Sequence, residues 1–187
     1  MRLLLLASVL SLAPSVSAAQ AVYGTGYPQT KSKAFQISGG MMIPFLNYAN
    51  RVDDIGWNAG AAFILNPRPG FHLRIEGEYS EVGFEGNSTS KAANYGGGIG
   101  GGRTFMSSRS TLTEGYFVAG LYNSEVCVTP VGGGACQAQG ELQFGSKIGF
   151  DVVMGSGRIR PVFNAYWLFT WGSPYISLVP ITIGLRF

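Results

Sequence analysis

His72 is the only histidine in the chain, and Glu76 and Ser80 follow it on the same strand-like stretch. These residue types can perform nucleophilic hydrolysis, in which a carboxylate orients an imidazole that takes the serine proton. A base must lie within hydrogen-bond reach of the proton it abstracts. His72 instead falls just after a turn and shares its face with Arg74 and Glu76, the pattern of an interior histidine. A second chemical signal is Gly96-Gly97-Gly98-Ile99-Gly100-Gly101, which spells G-x-G-x-x-G. Dinucleotide binding needs that run between a strand and a helix, and no helical pattern follows here. The glycines read as space for a curved backbone or a neighbouring ring, with Tyr79 or Tyr116 expected to cover them. The third signal is Cys127 and Cys136, the only cysteines. Their spacing is not that of a redox C-x-x-C. Between them lie Pro130 and Gly132-Gly133-Gly134, suited to a loop tip. In an oxidising compartment such a pair forms a disulfide. One histidine and two cysteines make no metal site, so neither a metal nor a cofactor is expected, and the chain reads as no enzyme.

The elements that carry these residues have a period of two. Strands place alternate side chains on opposite faces. Phe71, Leu73, Ile75 and Tyr79 alternate with His72, Arg74, Glu76 and Glu78. Leu142, Phe144, Ile148 and Phe150 alternate with Glu141, Gln143, Lys147 and Asp151. Ile159, Phe163, Trp167 and Trp171 oppose Arg158, Arg160, Asn164 and Tyr166. Val179, Ile181, Ile183, Leu185 and Phe187 oppose Pro180, Thr182 and Arg186. Four less regular segments, beginning near Phe35, Ile55, Ala93 and Thr111, complete eight strands of about 11 to 13 residues. Soluble strands are usually about 5–6 residues long, whereas about 9–11 tilted residues cross a bilayer. Connections alternate between short turns and longer loops at about 46–54, 83–92 and 124–138, the arrangement of outer-membrane barrels.

Composition agrees with this reading. Only 12% of the 187 residues are charged, about half the roughly 25% of soluble domains. Aromatics at 13% exclude a disordered chain, and a net charge of +3 without a basic stripe gives no support for nucleic-acid binding. Arg2, the apolar run Leu3–Leu12 and the small residues before Ala18 and Ala21 read as a cleaved signal peptide over 1–21. A segment 22–33 precedes the barrel, which occupies 34–187.

Period alone does not say which face is inside. Large aromatics on the apolar face cluster towards strand ends: Phe45, Trp57, Tyr79, Trp167, Trp171 and Tyr175 at one, Phe35, Phe71 and Phe187 at the other. Two such girdles belong at membrane interfaces. The polar face balances in sign, Arg74, Lys147, Arg158, Arg160 and Arg186 against Glu76, Glu78, Glu114, Glu141 and Asp151. An enclosed interior requires that balance, because buried unpaired charge is costly. The expectation is therefore an all-β, eight-stranded antiparallel transmembrane barrel with an up-and-down meander. Its interior network locks the barrel and catalyses nothing.

The ending Val179-Pro180-Ile181-Thr182-Ile183-Gly184-Leu185-Arg186-Phe187 resembles the last strand of small bacterial outer-membrane barrels. With the signal peptide and eight amphipathic strands, the chain resembles the opacity-protein and OmpX-like family over about 34–187. The resemblance implies an outer-membrane location and Phe187 as the signal read by the barrel-assembly machinery. It also implies periplasmic termini, longer loops outside and outer-membrane lipid as partner. It suggests a structural or adhesin-like role, as a monomer that meets host or environmental surface ligands through its loops. Tyr48, Phe84 and Tyr122 are the contact candidates. A small passive channel and a lipid-modifying enzyme are the alternatives within the membrane, and a secreted lipocalin-like barrel is the soluble rival.

Overall fold

A computed structural model describes residues 32–45, 55–68, 70–84, 87–108, 110–128, 137–172 and 176–187. The expected signal peptide, the loop at 46–54, Tyr48, Tyr175 and Cys136 lie outside the described residues. The strands are β1 (Lys33–Pro44), β2 (Gly56–Arg68), β3 (Phe71–Phe84), β4 (Asn87–Ser107), β5 (Thr111–Val128), β6 (Gln137–Met154), β7 (Arg160–Thr170) and β8 (Ser177–Arg186). Each is antiparallel to its sequence neighbour, and β1 pairs with β8 to close the barrel. The seam is tied by Phe187 N–H to Phe35 O at 2.8 Å and Phe35 N–H to Phe187 O at 3.3 Å. Closure gives every strand a paired neighbour on both sides.

The alternating pattern sorts side chains as the pleat demands. Ile37, Leu73, Ile75, Ile99, Phe117, Phe144, Ile148 and Ile183 stand exposed on the outer wall. Ile99 is 65% exposed and Ile183 72%. An apolar surface running around the whole molecule belongs in hydrocarbon, not water. The secreted lipocalin-like alternative required the opposite, an apolar pocket with Arg74, Glu76 and Glu78 facing solvent; all three are inside.

Inside, three layers stack. Towards the long-loop end lies an apolar cluster of Met42, Val82, Val118, Tyr122, Leu168 and Leu178, among others. Small apolar clusters close the short-turn end, Ala34, Ala62 and Ile64 on one side and Leu112, Val153 and Val162 on the other. Between them sit the charged residues.

Two expectations change. The connections at 83–92 and 124–138, expected as longer loops, are strand wherever they are described. Phe84 pairs with Asn87, and Val128 with Gln137. β4, β5 and β6 therefore reach 21, 18 and 18 residues. Polar, glycine-containing sequence reads locally as loop, but a paired strand satisfies its backbone just as well outside the apolar belt. The turn between β6 and β7 is also longer than Gly155-Ser156-Gly157, spanning 155–159. It starts at Gly155, whose φ of 82° suits a residue without a Cβ.

Candidate functional site

Every strand sends a polar side chain inside, and most of these converge on a central layer. Asp151 of β6 is its hub. Its carboxylate accepts from Arg74 Nη1 at 2.7 Å, Arg186 Nη2 at 2.7 Å, Asn164 Nδ2 at 2.5 Å and Gln36 Nε2 at 3.4 Å. Arg186 also donates to Glu114 Oε2 at 2.5 Å and Gln36 Oε1 at 2.9 Å. Arg74 donates to Glu76 Oε2 at 2.5 Å, and its guanidinium stacks 4.1 Å from the centre of the Tyr116 ring.

Glu76 joins this tier to the next. It accepts from Lys147, which also reaches Glu78 Oε2 at 3.1 Å and lies 3.8 Å over the Tyr166 ring. The Tyr166 hydroxyl bridges Glu78 and Asn58. Four cations (Arg74, Lys147, Arg160, Arg186) thus share the interior with four carboxylates (Glu76, Glu78, Glu114, Asp151). In a low-dielectric interior such pairs hold only when their remaining donors and acceptors are also met.

β4 sends in Asn94, which accepts from Ser124 Oγ at 2.7 Å, and along its glycine run it supplies room. A Cβ at Gly96 would meet the Tyr122 ring at 2.8 Å, and one at Gly102 would meet His72 Nε2 at 2.4 Å. The glycine run is thus covered by Tyr122 and His72, not by Tyr79 or Tyr116. Tyr116 lies instead over Gly149 on β6. Tyr122, expected as a loop contact, is 1% exposed within the apolar layer.

The hydrolytic set does not assemble. His72 and Ser80 stand on one strand about 26 Å apart at roughly 3.3 Å per residue. Ser80 donates to Asn94 O at 3.5 Å, and Glu76 is engaged by Arg74 and Lys147. The nearest carboxylate to His72 is Glu114, at 3.8 Å from Nδ1. Among the described residues no cluster of three or more His, Cys, Asp or Glu is placed to hold a metal.

Two members of the expected interior network lie elsewhere. Glu141 keeps the inward parity of β6 but is exposed at the long-loop rim, opposite Ser124. Arg158 is exposed because the turn extends through residue 159. Residues that sequence reading did not single out as network members are Gln36, Asn58, Tyr116, Asn164 and Tyr166. All but Tyr116 fall on alternating stretches whose parity marks the inner face.

A second cluster forms on the outer wall near the long-loop end. Lys91 Nζ lies 2.8 Å from Glu81 Oε1, and Tyr79 donates to Glu81 Oε2 at 2.9 Å. The Tyr95 hydroxyl donates to Glu125 and accepts from Asn123. The rings of Trp57 and Tyr79 sit 5.1 Å apart below them. Cys127 lies at the same end of β5, opposite Ala138.

No protein-family model matches the chain, and no curated protein matches it. Solved structures do. Ail, the attachment invasion locus protein of Yersinia pestis, is 15% identical with a TM-score of 0.52, over 83% of this chain and 99% of Ail. A further Ail structure, in complex with the heparin analogue sucrose octasulfate, aligns with a TM-score of 0.50 at 14% identity, over 83% of this chain and 99% of that one. Neisserial surface protein A is 12% identical with a TM-score of 0.56, over 83% of this chain and 96% of its own. A major outer membrane protein from Thermus thermophilus is 8% identical with a TM-score of 0.57, over 83% and 98%. At such identities the likeness concerns architecture, and the wall and interior described above have the same sense: this chain has the fold of the small outer-membrane β-barrels.

Proposed function

We propose that the protein is an integral outer-membrane barrel with a structural or surface-interaction role and no catalysis. The observation that carries this reading is the division of its side chains. Apolar residues cover the outer wall, and a closed ion-pair network fills the inside. In this reading the molecule is monomeric, both termini and the short turns face the periplasm, and the β3–β6 extension projects outside. Phe187 is the signal read by the assembly machinery, and Cys127 pairs with Cys136 to staple the outer end. That Ail was solved with a heparin analogue supports the idea that a barrel of this fold takes surface ligands.

The interior argues against conduction. Around Gln36, Arg74, Glu76, Lys147, Asn164 and Tyr166 the free space is about 10 Å³, room for about one water. Open pores have about 16–18 strands, whereas eight leave space only for side chains. Cell fractionation with gel migration before and after boiling tests the location. Recovery in the outer membrane and a shift on boiling are expected; a soluble product would overturn the reading. Planar bilayers test the closed interior. Conductance at background level is expected, and stepwise conductance would promote the channel.

A further inference from the structure

The two ends of the barrel differ in charge. At the short-turn end, Lys33, Arg103 and Arg158 are exposed. Among the described residues, the acidic side chains near this end, Glu114 and Asp151, are inside and paired. The sequence adds Arg68 at the end of β2 and Arg109 between β4 and β5. The long-loop end holds Glu81, Glu125 and Glu141 beside Lys91.

Position matters more than count. Lys33 opens β1 on the outward parity of Phe35 and Ile37, opposite Leu65. Arg103 lies on the outward face of β4, opposite Phe71 on one side and Gly115 on the other. Their outward neighbours Phe35, Phe71, Phe105 and Phe187 are all exposed. Neither the Lys33 nor the Arg103 side chain has an ion pair or hydrogen bond to another described residue. A guanidinium on the edge of an apolar belt cannot remain in hydrocarbon. Its stem is long enough to carry its head from the apolar wall to the headgroup layer. There the available acceptor is a phosphate, which a guanidinium fork fits.

We propose that this collar binds anionic phospholipid, with Lys33 and Arg103 each holding a headgroup phosphate of the leaflet at the short-turn end. The inference rests on the membrane reading above. Anionic lipid is favoured over zwitterionic lipid because no headgroup ammonium then opposes the collar, and among the described residues no carboxylate side chain beside it supplies the missing charge.

The test reconstitutes the full folded chain in nanodiscs of equimolar phosphatidylglycerol and phosphatidylcholine. Lipids retained on release are counted by native mass spectrometry. Phosphatidylglycerol is expected to be enriched roughly fivefold for each cation that holds it. Added salt should erode that enrichment in the unaltered chain, by screening. The Lys33→Gln/Arg103→Gln variant should fall to near parity, and Lys91→Gln at the other end should keep the enrichment. Equal retention by the native chain overturns the proposal, as does enrichment that the double variant keeps or that salt leaves untouched. A chain that stays soluble and never enters nanodiscs brings down the membrane reading itself, a separate outcome from entry without preference.

Discussion

Asp151 is fully buried and accepts from Arg74, Arg186, Gln36 and Asn164. Asp151→Asn keeps the shape but leaves two guanidiniums facing a neutral amide. Removing one partner of a buried pair costs about 3–5 kcal/mol, so the variant should unfold at clearly lower urea in lipid, read by gel migration. An unchanged midpoint would show that the network only fills space. Glycines give a sharper contrast. A Cβ at Gly100 would lie 1.9 Å from Phe117 O and 2.6 Å from Val118 Cα, backbone atoms that cannot turn aside. At Gly77 the nearest atom is 3.5 Å away, an ordinary contact. Gly100→Ala should therefore lose the folded band on unboiled gels, and Gly77→Ala should keep it. At this scale parity made most inward charges legible. It fixed the face of Glu141 but not its depth, and depth decides whether a carboxylate is paired inside or solvated at the rim. Tyr116 was hidden because aromatics occupy both faces of β5, with Phe117 exposed beside it.

The pairing of β7 with β8 has a gap at the element scale. Residues 160–165 pair with 181–186, and Leu168 and Phe169 pair with Leu178 and Ser177, but Tyr166 and Trp167 have no ladder partners on β8. The cause is Pro180. Phe35 and Phe187 form a hydrogen-bonded pair across the β1–β8 seam, and bonded pairs alternate along an antiparallel ladder. Odd residues of β8 thus face β1 and even ones face β7. Pro180 faces β7 at the point where an N–H is needed and has none. The backbone amide of Tyr166, which faces β8 opposite Pro180, should exchange with deuterium sooner than those at the middle of the β4–β5 ladder, measured in lipid. Equal protection would mean that the gap is bridged. Alternation gave away this strand and its inward face, because lipid outside and charge inside impose the strictest patterning. The outer reaches of β4 to β6 were not legible, since water on both sides removes the contrast on which the pattern depends.

Length and charge together give the whole molecule a direction. An apolar band about 25 Å tall needs some 9–11 residues of tilted strand, whereas β4 has 21 and β5 and β6 have 18 each. The surplus all lies at one end, because at the other β4 turns into β5 after Ser107 and β6 into β7 after Met154, close to the apolar girdle of Phe71 and Phe105. A wall standing clear of the membrane on one side only is a display surface, and its outward residues Lys91, Glu81 and Glu125 carry charge that lipid would not accept. The reading that places this end outside the cell can be tested without a ligand. Lys91→Cys and Arg158→Cys each put a thiol on an exposed position, one at each end. A bulky membrane-impermeant maleimide should label Lys91→Cys in intact cells, and Arg158→Cys only after the outer membrane is permeabilised. The unsubstituted chain should stay unlabelled in both conditions if Cys127 and Cys136 are bonded to each other. The reverse pattern would turn the barrel over, and would then put the basic collar on the outer face.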